Sequence, residues 1–163
     1  MAHKKFIHIY KLIYNHNCSM LNKYFLINKI SKFLLKKNFK IFFTEGSFDI
    51  AARKEKLFLL KILLNIDALQ KDQAKTLIAV SHFVSAYPLV ISEKNNKNKL
   101  SSGIVYSRFD LPVVNFKTFQ NVMENEAELI YASKGKYTVK IDSEKLRFER
   151  QNLGYSLSEL SRI

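Results

Sequence analysis

The chain of 163 residues predicts an α/β body followed by a pair of short helices. Three observations carry that expectation. Leu57 to Leu64 is apolar except at Lys61, as a buried central strand would be. Residues 20–37 and 70–86 carry apolar side chains at helical spacing on either side of it. Near the end, Leu153-Gly154-Tyr155-Ser156-Leu157-Ser158-Glu159 combines a glycine turn with a helix start.

The elements follow in order. Residues 20–37 form a helix with Leu21, Tyr24, Ile27, Phe33 and Leu34 on one face and Lys29, Lys32 and Lys36 on another. Residues 39–43 suit a strand. Thr44-Glu45-Gly46-Ser47 is turn-like, and Phe48 to Ala52 makes a second strand. Leu57 to Leu64 is the third strand. The helix over 70–86 places Ala74, Leu77, Ile78, Ser81 and Val84 on one face, and Pro88 to Ser92 is the next strand. A polar loop covers Glu93 to Ser102. Short strands at Ile104–Tyr106 and Val113–Val114 precede a helix over Lys117–Asn125. Leu129–Ala132 and Tyr137–Ile141 read as a hairpin around Gly135 that joins the body to the helical pair.

In that pair, Leu146 and Leu153 are seven apart, on one helical face. Gly154 suits the left-handed residue that ends a helix. Ser156 and Glu159 are spaced for a capping box, in which each caps the other's backbone amide. Leu157, Leu160 and Ile163 continue an apolar stripe. A plain helical hairpin closing the core would use the same signals. Three segments divide the chain: an extension over 1–19, the α/β domain over 20–142, and the helical pair over 143–163. Initiation at Met20 would explain the first.

Composition narrows the function classes. Hydrophobic residues make up 47% of the chain, which excludes a disordered tail. The net charge of +13 and a pI near 9.8 point to a polyanionic partner. Residues 1–56 hold 12 Lys/Arg against 3 acids, and residues 57–163 hold 15 against 11. The surplus therefore lies toward the N-terminus. Of the 27 basic residues 22 are Lys. Lysine meets phosphate as a point charge, so salt-sensitive and weakly specific contact with a nucleic-acid backbone is expected. A solvated lysine face is the plainer alternative.

Cys18 is the single cysteine, so no intramolecular disulfide forms and a reducing cytoplasm is consistent. His3, His8 and His16 match no ligand spacing, and no metal is expected there. Phe6 to Tyr14 is too short to span a bilayer. There is no phosphate-binding glycine loop, no dinucleotide fingerprint and no nucleophile elbow. No cofactor is called for.

Helix, three strands, helix, strand is the order of restriction-endonuclease-like cores, and the body resembles them in architecture. That resemblance implies an Asp on the second strand and an acid-x-Lys on the third. Two carboxylates then hold a metal while the Lys stabilises the attacking hydroxide. Asp49 is placed for the first acid and Lys61 for the Lys. The residue two before Lys61 is Leu59, so the second carboxylate is missing unless Glu45 or Glu55 supplies it. Three readings stay open: a metal-dependent nuclease, a vestigial ion pair, or two residues that never meet. A lysine in so apolar a strand needs a partner if its head is buried, and Asp49 is the natural one.

The segment from Leu146 to Leu160 resembles the start of lambda repressor–Cro-type helix-turn-helix domains. Ser47–Arg53, Leu60–Asp67, Pro88–Ile91, Gly103–Phe109 and Leu111–Val114 are similar, in order, to an archaeal family of HTH-type transcriptional regulatory proteins. The resemblance runs from about Met20 to the end. It implies a non-enzymatic DNA-binding transcriptional regulator whose groove-reading helix would lie after Ile163. Its partner would be double-stranded DNA, held through phosphates by Arg147, Arg150, Ser156 and Ser158, and a homodimer is admissible. The other classes to weigh are the nuclease and a non-catalytic protein-interaction or effector-sensing domain.

Overall fold

A computed structural model describes residues 18–124, 130–133, 136–139 and 143–160. The first helix, α1, spans Cys18–Lys36. Strands β1 (Lys40–Phe43), β2 (Ile50–Arg53) and β3 (Leu57–Asn65) come next as an antiparallel meander. A short 3-10 turn (Ile66–Ala68) and helix α2 (Lys71–Phe83) carry the chain over to β4 (Tyr87–Lys94), which pairs parallel with β3. Then come β5 (Ile104–Arg108), β6 (Leu111–Val114), α3 (Phe116–Met123), β7 (Ile130–Ser133) and β8 (Lys136–Val139). Helices α4 (Ser143–Asn152) and α5 (Leu157–Leu160) close the described chain. The restriction-endonuclease-like α/β core expected from the sequence is the observed architecture.

Among the described residues the strands form one sheet in the order β1-β2-β3-β4-β6-β5-β7-β8. Two apolar clusters pack on it. One joins Leu26, Ile30, Phe33 and Leu34 of α1 to Leu60 and Ile62 of β3 and to Phe116 and Phe119 of α3. The other joins Ala74 and Leu77 of α2 to Leu59 of β3 and to Leu111 and Val113 of β6. The alternation along β3 (Leu59 to one cluster, Leu60 and Ile62 to the other) is the pleat of a strand buried on both faces.

Helix ends explain the differences from the expected boundaries. Asn38 adopts φ 64°, and Phe39 and Asn38 donate to the Leu34 and Leu35 carbonyls at 3.0 Å each. That is a Schellman stop without glycine. Ser85, at φ 52°, does the same for α2, with Ala86 donating to Ser81 and Ser85 to His82. The helix therefore ends at Phe83, short of residue 86, and leaves Val84 exposed instead of on the core face. The polar loop after Ser92 also shortens, because β4 continues through Glu93 and Lys94. Residues 1–17, with His3, His8, His16 and the Phe6–Tyr14 run, lie outside the described residues, as does Gly135 of the expected hairpin turn. No helix among the described residues is long and apolar enough to cross a membrane.

Candidate functional site

The site starts from a lysine that must be placed inside a sheet. Lys61 sits mid-β3 with its side chain 8% exposed, between β2 and β4. A buried ammonium needs acceptors. It finds two: its Nζ donates to the Gly46 carbonyl at 2.8 Å and lies 3.7 Å from Asp49 Oδ2. Sequence reasoning pairs Asp49 with Lys61, and the structure brings them together. The reading in which they never meet is overturned.

Asp49 does more than neutralise. Its Oδ2 accepts the Ile62 backbone amide of β3 at 2.7 Å, while its own amide donates to the Leu60 carbonyl at 2.8 Å. The carboxylate thus takes an amide that a longer β2 would have paired. This is why β2 begins at Ile50 and not at Phe48 as expected. The β1–β2 turn is closed by Thr44, whose amide and hydroxyl donate to the Asp49 and Phe48 carbonyls.

A third residue completes the cluster. Lys23 of α1 donates to Asp49 Oδ1 at 2.8 Å, and its side chain is 33% exposed against 13% for Asp49. Sequence reasoning misses it, although the sequence carries a signal. Lys23 falls on the stripe of Leu26, Ile27, Ile30 and Leu34 at i+3, i+4, i+7 and i+11. A charge on the buried stripe of a helix calls for a partner across the interface. Burial pushes the Lys61 pKa below the usual lysine value, Asp49 opposes that, and Lys23 adds to it.

A divalent metal does not fit these residues. Asp49 is one carboxylate with both oxygens already engaged. The position for a second acid is Leu59, a core residue 2% exposed. Glu55 lies in the β2–β3 turn, at the other end of the hairpin from Asp49. Six residues of extended chain, on the order of 20 Å, separate the two. Glu45 is exposed in the β1–β2 turn. Among the described residues no three His, Cys, Asp or Glu side chains gather where they could hold a metal. This donor set supports no hydrolytic step through a metal.

The C-terminal residues singled out from the sequence lie in a separate, local arrangement. Gly154 adopts φ 72°, and Tyr155 and Gly154 donate to the Arg150 and Gln151 carbonyls, which ends α4. The capping box forms in both directions: the Ser156 amide donates to Glu159 Oε2 at 2.7 Å and the Glu159 amide donates to Ser156 Oγ at 3.2 Å. Hydrogen bonds from Ser156 hold the Glu159 carboxyl below the usual carboxylate range. Ser156 and Ser158 also share a hydroxyl–hydroxyl bond at 3.0 Å. Arg150 Nη1 donates to the Tyr155 carbonyl at 2.6 Å, whereas Arg147 is exposed. The seven-residue spacing places Leu153 on one helical face with Leu146. Leu153 lies past the helix end and is 68% exposed, with Phe148 at 61%.

The mixed sheet flanked by helices, with Asp49 at the head of its second strand and Lys61 within its third, defines a restriction-endonuclease-like domain. The sequence pattern of the PD-(D/E)XK superfamily domain matches residues 23–128, and the chain belongs to that superfamily. Of the residues that name it, this chain has Phe48-Asp49 and Leu59-Leu60-Lys61. The Asp and the Lys are present, and the Pro and the second acid are not. The matched span stops before α4.

Three archaeal relatives carry the name "Putative HTH-type transcriptional regulatory protein". The one from Archaeoglobus fulgidus is 35% identical over 144 residues, which is 85% of this chain and 47% of the relative. The one from Methanobrevibacter smithii is 33% identical over 146 residues, 87% of this chain and 47% of its own length. The one from Methanocaldococcus jannaschii is 36% identical over 117 residues, 71% and 37% respectively. The chain thus spans about half the length of the curated relatives it matches, or less. No solved structure matches it.

Proposed function

We propose that this chain is the nuclease-derived, non-catalytic part of a DNA-binding transcriptional regulator. The observation that carries the non-catalytic half is Lys23 Nζ at 2.8 Å from Asp49 Oδ1, where a metal-dependent hydrolase would need a free carboxylate oxygen. The regulatory half is supported by the relatives' name and by the capped turn between α4 and α5, a local arrangement compatible with the start of a helix-turn-helix.

On this reading the α4–α5 pair meets the phosphates of double-stranded DNA. Exposed Arg147 is the strongest candidate contact. Arg150 retains part of its guanidinium for the same task. Ser156 serves as the helix cap, its Oγ accepting the Glu159 amide, and its hydroxyl is shared with that of Ser158.

Anisotropy titration of labelled random duplex DNA against the chain, in EDTA and over a salt series, tests the reading. Binding that weakens steeply with salt is expected. No binding at low salt refutes DNA binding. Cleavage of the duplex on adding Mg²⁺ or Mn²⁺, lost in Asp49→Ala, would replace the reading with a nuclease.

A further inference from the structure

Two ammonium groups face one carboxylate, so the cluster carries a surplus of one positive charge with no metal ion. The two ammoniums are not equivalent. Lys61 is buried and committed to the Gly46 carbonyl. Lys23 is one-third exposed and, among the described residues, makes one hydrogen bond, to Asp49 Oδ1. An ammonium has three N–H donors, so among the described residues Lys23 has donors beyond the one given to Asp49. Asp49 fixes that ammonium in place, and Ile62 and Lys61 in turn fix Asp49.

We propose that the Lys23–Asp49–Lys61 cluster is a metal-independent binding point for one phosphodiester of a nucleic-acid backbone, with the Lys23 ammonium supplying the charge that a divalent ion supplies in a two-carboxylate site. A singly charged phosphodiester balances the surplus, and Lys23 meets it as a point charge with its further donors. The position suits a polyanion, because most of the chain's basic surplus lies in residues 1–56, which include both Lys23 and Asp49. This inference rests on the proposed DNA-binding function and adds a contact on the α/β body, apart from α4 and α5.

The test uses the full chain and labelled random duplex DNA in EDTA, with a separate arm for Lys23→Gln in excess Mg²⁺. Lys23→Gln is expected to weaken binding roughly 3- to 10-fold and to make the log–log salt slope shallower by about 1, as for one lost phosphate contact. Lys23→Arg should bind close to wild type. Lys32→Gln, an exposed lysine on another face of α1, should change affinity less than Lys23→Gln. Asp49→Asn adds a unit to the surplus, so it should bind DNA more tightly while melting at a lower temperature. Wild-type affinity and slope in Lys23→Gln would overturn the inference alone, as would rescue of that variant by Mg²⁺ or weaker binding by folded Asp49→Asn. If Asp49→Asn does not fold, the Lys23 variants decide. Absence of DNA binding by the wild-type chain would overturn this inference and the underlying reading together.

Discussion

In the body, Asp49 is held by a helix 26 residues away in sequence and by a strand 13 residues away. In the α4–α5 pair, Ser156 and Glu159 satisfy each other across 3 residues, and Arg150 reaches only to Tyr155. The body buries Lys61 of its polar cluster inside the sheet, whereas the pair leaves Phe148 and Leu153 in solvent. Long-range contacts make the body cooperative, so an error there costs the whole fold. Local hydrogen bonds can keep the pair's shape without much burial, so an error there stays local.

The sharpest way to break this contrast is to strand a charge in the body. Asp49→Ala removes the partner of two ammoniums and the acceptor of the Ile62 amide, and should cost about 3 kcal/mol. Lys61→Met should cost about 1 kcal/mol or less, because Asp49 keeps Lys23 and Ile62 and the methionine is apolar in an apolar strand. Urea denaturation of the two variants gives the comparison. Equal midpoints would mean that the Asp49 network contributes nothing beyond packing.

Helix caps sharpen it, because the same device occurs in both regions. Asn115 caps α3 while buried: its side-chain oxygen accepts from the Thr118 amide and hydroxyl, and its amide donates to the Leu100 carbonyl at 2.8 Å. Asn115→Ala should cost about 2 kcal/mol in global stability, since buried partners are left unpaired. Ser156→Ala removes an exposed cap and should cost about 1 kcal/mol, confined to α5. Faster amide exchange at Glu159 with an unchanged urea midpoint is the expected result. A lowered midpoint would show that the pair folds as one unit with the body.

The same physics decides what is legible in the sequence. The apolar run of β3 and the stripe of α1 announce themselves, and a lysine inside the run demands an acid, which is how Asp49 can be paired with Lys61. Lys23 is legible in principle as a charge on a buried stripe, but which acid it meets depends on how α1 lies on the sheet. The stop at Ser85 is hidden, because serine seldom takes the left-handed turn, and Asn38 is a weaker form of the glycine signal. Gly154 carries that signal in full. The strand order β4-β6-β5-β7 is not readable at all: no local period specifies which edge a later strand joins.

Titration separates the two regions most gently, at opposite ends of the pH scale. Folding lowers the Lys61 pKa through burial, against the opposing pull of Asp49. Between the lowered value and the ordinary 10.5, the unfolded chain therefore binds more protons at this site than the folded one, and raising pH favours the fold. Folding also lowers the Glu159 pKa, through hydrogen bonds from Ser156. That contribution is present above the ordinary carboxylate value and is lost as pH falls through the lowered one. Wild type should therefore gain stability relative to Lys61→Met as pH rises from neutral toward 10, read as a divergence of urea midpoints. The amide of Glu159 should lose protection relative to the body only on acidification, a change Glu159→Gln should abolish. If the Lys61 difference did not change with pH, the ammonium would be solvated in the folded chain, and the body would hold its lysine as loosely as the α4–α5 pair holds its surface.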